Sequence, residues 1–500
     1  MSRRNLNGYV STNWGGGNSI IDNYLTIVAL EDGLTAKLSV NACEYCVDGD
    51  ENWKSLTAAT NTEAINTGQT LSFRGNLTPA TNKGIGTFTI SKNCNLEGNC
   101  MSMLFGDDVT SNLSLNGKDY TFYKLFYNCT TIKSVSSGFL PATTLANNCY
   151  GSMFEGCTSL TQVPELPAVT LVKYCYYSMF IGCTNLTQSP ELPATTLANY
   201  CYARMFRGCT NITQSPELPA TTLANYCYYN MFYGCNSLTQ APSLPATTLR
   251  ENCYSAMFSR CTSLTQAPSL PATTLVDSCY RDMFSGCTNL TTAPSLPATT
   301  LANDCYSLMF SGCTNLTTAP SLPATTLKYE CYSYMFEGCT SLATAPSLPA
   351  TTLAERCYNS MFEDCTALTT APSLPATTLV NWCYSAMFSG CTSLATAPSL
   401  PATTLATYCY SGMFDGCSSL TTSPILPATT LVNNCYSYMF RNCRKLNYIK
   451  MLATDISASG CLNSWVLGVA STGTFVKNKN ATWNIMGTDG IPSGWTIQKA

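Results

Sequence analysis

The 500-residue chain has no histidine and few charged residues. Lys, Arg, Asp and Glu together make up 11% of it, against roughly 25% in a typical soluble protein. Without histidine there is no Ser-His-Asp arrangement and no imidazole to bind a metal. The net charge of −3 gives no electrostatic reason to expect a nucleic-acid partner. We therefore expect a protein that is not an enzyme, requires no cofactor and binds no nucleic acid.

Long apolar runs are also missing. No stretch of about 18 uncharged apolar residues occurs, so we expect no insertion into a membrane. Residues 1–20 lack the apolar core of a signal peptide. This opening stretch is interpreted as a flexible or anchoring arm.

What the chain does have is a strict internal repeat. Between Cys149 and Leu446, twelve units follow one another with a period of 26 residues and without insertion. A fixed period in this range is the signature of a solenoid, in which every repeat is one coil stacked on the next. We therefore predict one elongated array that occupies residues 149–446.

Five apolar positions are identical in all twelve units. In the first unit they are Cys149, Tyr150, Met153, Phe154 and Cys157. Their spacing of i, i+1, i+4, i+5 and i+8 predicts a short helix of about two turns with one apolar stripe. Gly156 stands where a left-handed residue ends a helix. Arg260 replaces this glycine in one unit, and we expect backbone strain there.

The remainder of each unit predicts extended chain. In the first unit Pro164 and Pro167 restrict the backbone to β or polyproline geometry, with Leu160, Leu166 and Leu171 pointing inward. Such segments, stacked one period apart, form short parallel strands. The expected fold is thus a solenoid with one short helix and short parallel β-strands in every coil.

The sequence on both sides of the array has lost the pattern. Residues 119–148 are interpreted as an N-terminal capping repeat and residues 447–500 as a C-terminal cap, because the open ends of a stack need covering. Residues 21–118 contain short alternating runs separated by Asp, Asn and Gly. These predict a β-rich N-terminal domain resembling a small β-sandwich.

Most of the 30 cysteines belong to the repeat, at two fixed positions in each unit. Eight residues along a helix is about 12 Å at ~1.5 Å per residue, whereas a disulfide needs Cα atoms within about 7 Å. We therefore expect buried, reduced thiols that act as small hydrophobic groups. Four cysteines of the N-terminal domain leave a zinc site, buried thiols and a local disulfide open. They are Cys43, Cys46, Cys94 and Cys100.

The positions that change from unit to unit predict a ligand-binding surface. They lie just before the predicted helix and on its outer face, and they are rich in Tyr, Trp and Arg. These residue types on a rigid scaffold are typical of binding surfaces, and sugars are among the ligands expected. Neutral drift on a solvated surface is the alternative. The candidate residues are Tyr174, Tyr177, Tyr200, Arg204, Arg207, Tyr226, Tyr229, Tyr233, Arg250, Arg281, Tyr329, Tyr334, Arg356, Trp382, Tyr408 and Tyr438.

The repeat also resembles a known family. Cys-Tyr-x-x-Met-Phe-x-Gly-Cys-Thr-x-Leu-Thr, followed by Pro-x-Leu-Pro-Ala-Thr-Thr-Leu, is similar to the BspA-like (treponemal-type) leucine-rich repeats of bacterial surface proteins. The layout, with the tail at residues 473–495, resembles proteins of gut Bacteroides and their phages. This resemblance implies a leucine-rich-repeat solenoid that serves adhesion or ligand recognition without catalysis.

Three functions follow in order of preference. The first is a non-enzymatic virion surface protein of the phage fibre or receptor-binding type, assembled in the host cytoplasm. Its N-terminal region would contact other virion structural proteins, and its solenoid a host cell-surface glycan or protein. Analogy with phage fibres suggests a homo-oligomer such as a trimer. The alternative is a bacterial cell-surface adhesin. It ranks second because bacterial members of the family usually carry an export signal, which we do not recognise in this sequence, whereas a phage structural protein needs none. A glycan-degrading enzyme ranks last, because no carboxylate spacing argues for one.

Overall fold

The computed structural model describes residues 23–40 and 43–500. The arm predicted over residues 1–20 lies outside the described residues. Within them, a β-rich N-terminal domain is followed by a solenoid of stacked coils, as the sequence predicts. No helix in this part of the chain is long and apolar enough to cross a membrane.

The N-terminal domain is a mixed sheet that packs against a strand pair. The strands are β1 (Leu25–Ala29), β2 (Ala36–Leu38), β3 (Cys43–Val47), β4 (Lys54–Leu56), β5 (Thr70–Gly75), β6 (Phe88–Ile90), β7 (Cys94–Glu97) and β8 (Ile132–Val135). The larger sheet has six strands in the order β4-β3-β5-β1-β7-β8, and β2 pairs with β6 separately. Phe73 of β5 meets Phe88 of β6 edge to face at 5.1 Å, so the two sheets share a core. One helical turn, α1 (Ser102–Phe105), follows β7.

Strand β8 joins this domain to the solenoid. It runs parallel to β7, while Ser134 within it forms a parallel bridge to Gln162 of the first coil. Further bridges then link residues 26 positions apart, such as Gln188 with Gln214. A second row of bridges links the second threonine of the Ala-Thr-Thr-Leu segment in successive coils, for example Thr196 with Thr222. The rows are parallel, as the repeat predicts, but over residues 136–421 they consist of isolated bridges and do not extend into strands.

The Cys-Tyr-x-x-Met-Phe segment is not the short helix that its spacing predicts. In the first coil the Met153 N–H donates to the Tyr150 carbonyl at 3.2 Å, three residues back. The next amide, that of Phe154, donates instead to the Met179 carbonyl of the following coil at 3.0 Å. This alternation repeats along the segment. Half of the amides close turns within a coil and the other half bind the coils together.

A left-handed residue at every fourth position explains the alternation. Asn148, Ser152 and Gly156 have φ of 56°, 52° and 77°. A left-handed residue interrupts the i to i−4 hydrogen bonds of an α-helix, so no helix propagates through the segment. The apolar spacing therefore reflects a period of four residues, which over nine residues resembles the helical period of 3.6.

Two aromatic ladders fill the core. Phenylalanines of successive coils stack from Phe88 of the N-terminal domain to Phe440, with ring centroids such as those of Phe154 and Phe180 at 5.7 Å. A parallel ladder of buried tyrosines contains Tyr150 and Tyr176 at 5.8 Å. The invariant residues thus contact their own equivalents in neighbouring coils.

The second cysteine of each unit adds a link between coils. The Cys157 thiol donates to the Phe126 carbonyl at 3.2 Å, and the same bond recurs up to Cys443 and Phe414 at 3.0 Å. All 30 cysteines are buried and free. Burial raises the pKa of the Cys209 thiol from 9.0 to about 12, so this thiol stays protonated and remains a donor.

The four-cysteine zinc site that the sequence left open is not formed among the described residues. Cys43 and Cys46 are three residues apart on β3, so they point to opposite faces of the sheet. Cys94 interacts with Cys129, while Cys100 interacts with Cys149 of the first coil. Across residues 23–40 and 43–500, no group of three or more potential metal ligands is brought together.

The C-terminal residues close the stack. Strands β9 (Thr422–Leu426), β10 (Tyr448–Met451), β11 (Thr474–Lys477) and β12 (Thr496–Lys499) form a parallel sheet. Trp465 takes the ladder position after Phe440 but tilts by 54°, and its indole N–H donates to the Gly490 carbonyl at 2.8 Å. The tilted ring ends the stacking, and its indole N–H finds a carbonyl within the cap.

Alkaline pH should unfold the solenoid steeply. The thiols have raised pKa values in the folded chain, so the unfolded chain loses its protons first. The contribution of the buried thiols to the free energy of unfolding is therefore fully present below the ordinary thiol pKa of 9.0, and it is lost as pH rises toward 12. Each pH unit above 9 removes about 1.4 kcal/mol per buried thiol.

Circular dichroism against pH, with reductant present, measures this transition. The expected result is cooperative unfolding within about one pH unit above 9, because the summed loss exceeds the ~5–15 kcal/mol stability of an ordinary domain. A signal unchanged to about pH 11 would show that the thiols do not have these raised pKa values.

Candidate functional site

The sixteen predicted site residues all lie on one side of the coils. We call the equivalents of residues 146–148, 151, 152 and 155 the variable face. None of the sixteen is buried: Arg250 and Tyr329 are exposed, and the others are half-buried. Smaller residues at the same positions, such as Ser178, are buried. The positions of the face therefore differ in exposure, and its large side chains form separate patches instead of one continuous exposed surface.

The first patch is a stack of tyrosines from three successive coils. Tyr174, Tyr200 and Tyr226 lie ring upon ring, with centroids 4.7 and 4.5 Å apart. Tyr177 stands edge-on to Tyr174 at 5.5 Å, and Tyr229 stands edge-on to Tyr226 at 5.8 Å. These five residues are called the tyrosine patch.

Arg204 lies between the two edge-on tyrosines. Its guanidinium carbon is 5.9 Å from the Tyr177 ring centroid and 5.6 Å from that of Tyr229. Its Nη1 donates to the Tyr177 hydroxyl at 3.1 Å. Ala203 occupies the intervening coil at the position of these two tyrosines and is fully buried. Its small side chain leaves space for the guanidinium, which is then held by cation–π contacts.

A second patch lies farther along the array. Trp382 and Tyr408 stack at 3.9 Å, and the Arg356 guanidinium carbon lies 5.5 Å from the Trp382 ring. Arg356 also forms an ion pair with Glu330 at 3.3 Å. Arg356 thus contacts a stacked ring, whereas Arg204 contacts the edge-on rings of the first patch, and only Arg356 has a carboxylate partner.

The remaining candidates are more scattered. Arg207 lies over the Tyr233 ring at 4.8 Å, next to the tyrosine patch. Tyr438 accepts a hydrogen bond from Asn463 at 2.9 Å in a third group, near the C-terminal cap. Arg281 forms an ion pair with Asp304 at 2.9 Å. Arg250, Tyr329 and Tyr334 belong to none of the patches.

Sequence reasoning missed that the patches stand on a strained backbone. Tyr200 and Trp382 have φ of 61° and 59°, in the left-handed region. That conformation costs a non-glycine residue about 1–2 kcal/mol. Other coils place Asn148 or Asn252 at the same position, and Asn tolerates it. The conformation recurs at this position in all twelve coils, so the fold imposes it and the aromatic residues occupy it at a cost.

The tyrosine patch offers neutral hydroxyls, and the Arg204 guanidinium lies beside them. Burial in the stack, with Tyr226 and Tyr174 close by, raises the pKa of Tyr200 to about 12. Its hydroxyl therefore stays neutral at physiological pH. The Tyr226 hydroxyl donates to the Glu251 carboxylate at 3.3 Å. The arrangement suits hydrogen bonding and contact with a ligand surface.

A groove on another side of the coils was also missed. It has a volume of about 580 Å³ across the first two coils and continues with about 500 Å³ across the next. Gln188, Pro190 and Glu191 line both parts. Pro190 recurs in every coil up to residue 424, whereas the Gln position becomes Thr from Thr292 onward and the Glu position becomes Ser from Ser243 to residue 399. The structure exposes the Gln188 and Glu191 side chains.

Comparison with known families identifies the repeat. The model of the BspA type leucine rich repeat region (6 copies) matches residues 120–239, 176–317, 226–369 and 330–460. The matches cover more than half of the chain, which therefore belongs to the BspA-type leucine-rich repeat family. Proteins of this class are surface-displayed and adhesin-type, and leucine-rich repeat families are typically not enzymes.

Two solved structures are similar over much of the chain. One is a leucine-rich repeat protein from Eubacterium ventriosum ATCC 27560, with 15% identity, a TM-score of 0.29, and coverage of 81% of this chain and 94% of that one. The other is TLR13 in its complex with ssRNA13, with 12% identity, a TM-score of 0.22, and coverage of 71% and 57%. Comparison with curated protein sequences gives no match.

Replacing Arg260 by glycine should stabilise the chain. Arg260 has φ of 62°, which confirms the expected strain, and the neighbouring coils carry Gly234 and Gly286 at this position. Arg260→Gly should raise the free energy of unfolding by about 1 kcal/mol, because glycine adopts this conformation without strain.

The control is Asp364→Gly at the same position of another coil, where φ is 57°. Aspartate tolerates the left-handed region, so its gain should be smaller. Denaturant unfolding measures both variants. A loss of stability in Arg260→Gly would mean that the side chain contributes more than its backbone costs.

Proposed function

We propose that this chain is a non-enzymatic surface recognition protein that binds its partner, a cell-surface glycan or protein, through the variable face. The observation that carries the proposal is the tyrosine patch on left-handed backbone. Asn, Ser or Asp occupies this position in five of the twelve coils, an aromatic residue in another five, and Glu330 and Arg356 in the remaining two. Large aromatic residues there recover only part of the strain, since a stacked pair contributes about 0.5–1.5 kcal/mol.

The solenoid supports this role by holding the patch rigidly. Every coil is bonded to the next by alternate amides, and the buried ladders fix the coils in register. The patch side chains are restrained further by each other and by Arg204. A preorganised surface loses little entropy on binding, so its contacts are available to stabilise the complex.

The setting we propose is the one preferred from the sequence, a virion surface protein whose N-terminal region contacts other virion proteins, with the chain forming a homo-oligomer such as a trimer. A bacterial cell-surface adhesin is the second candidate, favoured by the surface display of the family. Mass spectrometry of purified virions distinguishes them. Absence of the chain from the particles would favour the second.

Binding should depend on the tyrosine patch. Serine at Tyr174, Tyr200 and Tyr226 removes the stacked rings while leaving the buried ladders intact. We expect binding to target cells, measured by flow cytometry with labelled protein, to fall at least tenfold. The loss of the rings should leave the thermal unfolding midpoint within a few degrees of the parent value, because the three side chains are only half-buried.

The matched control substitutes Gln188, Gln214 and Gln240 with serine. These exposed residues belong to the same stretch of coils, but they form the row of bridges to which the groove-lining Gln188 and Gln214 belong. The control should bind as the parent does. Equal binding by all three proteins would favour drift and reject the variable face as the binding surface.

A further inference from the structure

Charge is unevenly distributed along the variable face. From residue 173 to 259 it carries four basic residues, Lys173, Arg204, Arg207 and Arg250, and one acidic residue, Glu251. From residue 277 to 363 the balance on the face reverses, with seven acidic and three basic residues. Over residues 173–259 the other two acidic residues, Glu191 and Glu217, line the groove instead. The tyrosine patch therefore lies in the basic half of the face.

The two halves also differ in how their cations are held. Arg281 and Arg356 form ion pairs with Asp304 and Glu330. Arg204 and Arg207 have no carboxylate within ion-pair distance among the described residues and are held by tyrosine rings. A guanidinium held by a ring keeps its full charge and most of its N–H donors, and so is prepared for an external anion.

The stacking of the tyrosines restricts the ligand further. Tyr200 is covered on both faces, by Tyr174 and by Tyr226. Bases of single-stranded nucleic acid bind by stacking on open aromatic faces, and this stack offers none at its centre. Outward it presents ring edges and neutral hydroxyls, at a spacing set by rings 4.7 and 4.5 Å apart. Such a row can exchange hydrogen bonds with the hydroxyls of a sugar chain.

We infer that the basic half of the variable face binds an acidic glycan, with Arg204 and Arg207 contacting carboxylate or sulfate groups and the tyrosine hydroxyls contacting the sugars. The inference rests on the proposed function, for which it names the ligand class. Carboxylated and sulfated glycans share the chemistry that these arginines recognise. A neutral glycan lacks it.

Binding of the full-length chain to immobilised polysaccharides tests the inference. Heparin serves as the sulfated probe, polygalacturonate as the carboxylated probe and dextran as the neutral probe, while single-stranded DNA is the competing polyanion. We expect salt-sensitive binding to heparin, polygalacturonate or both, and none to dextran. Binding to one acidic probe alone would identify the anionic group. Failure to bind either acidic probe at low salt, or tighter binding to DNA, would overturn the inference.

Variants separate a specific site from general charge attraction. Arg204→Gln with Arg207→Gln should weaken binding to the acidic probe about tenfold or more, since both charge-assisted contacts are lost. Arg444→Gln with Lys445→Gln removes the same charge from exposed positions outside the variable face and should change binding less than twofold. Equal weakening in both double variants would reject the site. If loss of Arg204 prevents folding, Arg207→Gln with Arg250→Gln replaces it with the same expectation.

The result is independent of the cell-binding test. If the chain adheres to cells through the tyrosine patch but binds no acidic probe, the proposed function stands and the glycan class is wrong. If substitution of the patch leaves cell adhesion unchanged, the proposed function fails. Loss of acidic-probe binding in the arginine variant alone would then still show an anionic-glycan site.

Discussion

The alternating hydrogen bond of the Cys-Tyr-x-x-Met-Phe segment is the constraint on which the rest of the structure depends. Because every fourth residue is left-handed, successive amides alternate between their own coil and the next. The coils are then held one period apart in register. Phenylalanine meets phenylalanine, tyrosine meets tyrosine, and the second cysteine reaches the carbonyl of a ladder phenylalanine. The invariance of these residues follows from this self-contact.

The same constraint explains the exterior. A left-handed position such as 148 exists in every coil whatever residue occupies it, so the array offers many sites whose backbone is already fixed. Asparagine fills some of them without strain, while Tyr174, Tyr200 and Tyr226 fill adjacent ones at a cost. Neighbouring coils hold these side chains close enough to stack, and Arg204 lies against their edge-on partners. The proposed binding surface is thus built from strained positions on a rigid core.

Much of this was predictable from the sequence, and the exceptions have physical causes. The period of 26 residues predicts the stacking, and the invariant Tyr150 and Phe154 are core as expected. The helix was wrong because spacings of 3.6 and four residues are nearly the same over nine residues. Gly156 was recognised as left-handed, whereas Ser152 carries no such signal. Which arginines meet rings and which meet carboxylates depends on contacts between coils, which the sequence alone does not determine.

Deletion of one coil tests the account most directly. Removing residues 279–304 takes out one whole 26-residue period and joins Ser278 to Cys305. The ladder contacts and the hydrogen bonds between coils can then all form again across the junction. Removing residues 279–303 leaves one residue too many and shifts the register at the junction. The account predicts that the first deletion unfolds cooperatively at nearly the parent temperature, while the second loses stability sharply in thermal denaturation followed by circular dichroism. Equal stability of the two would contradict it.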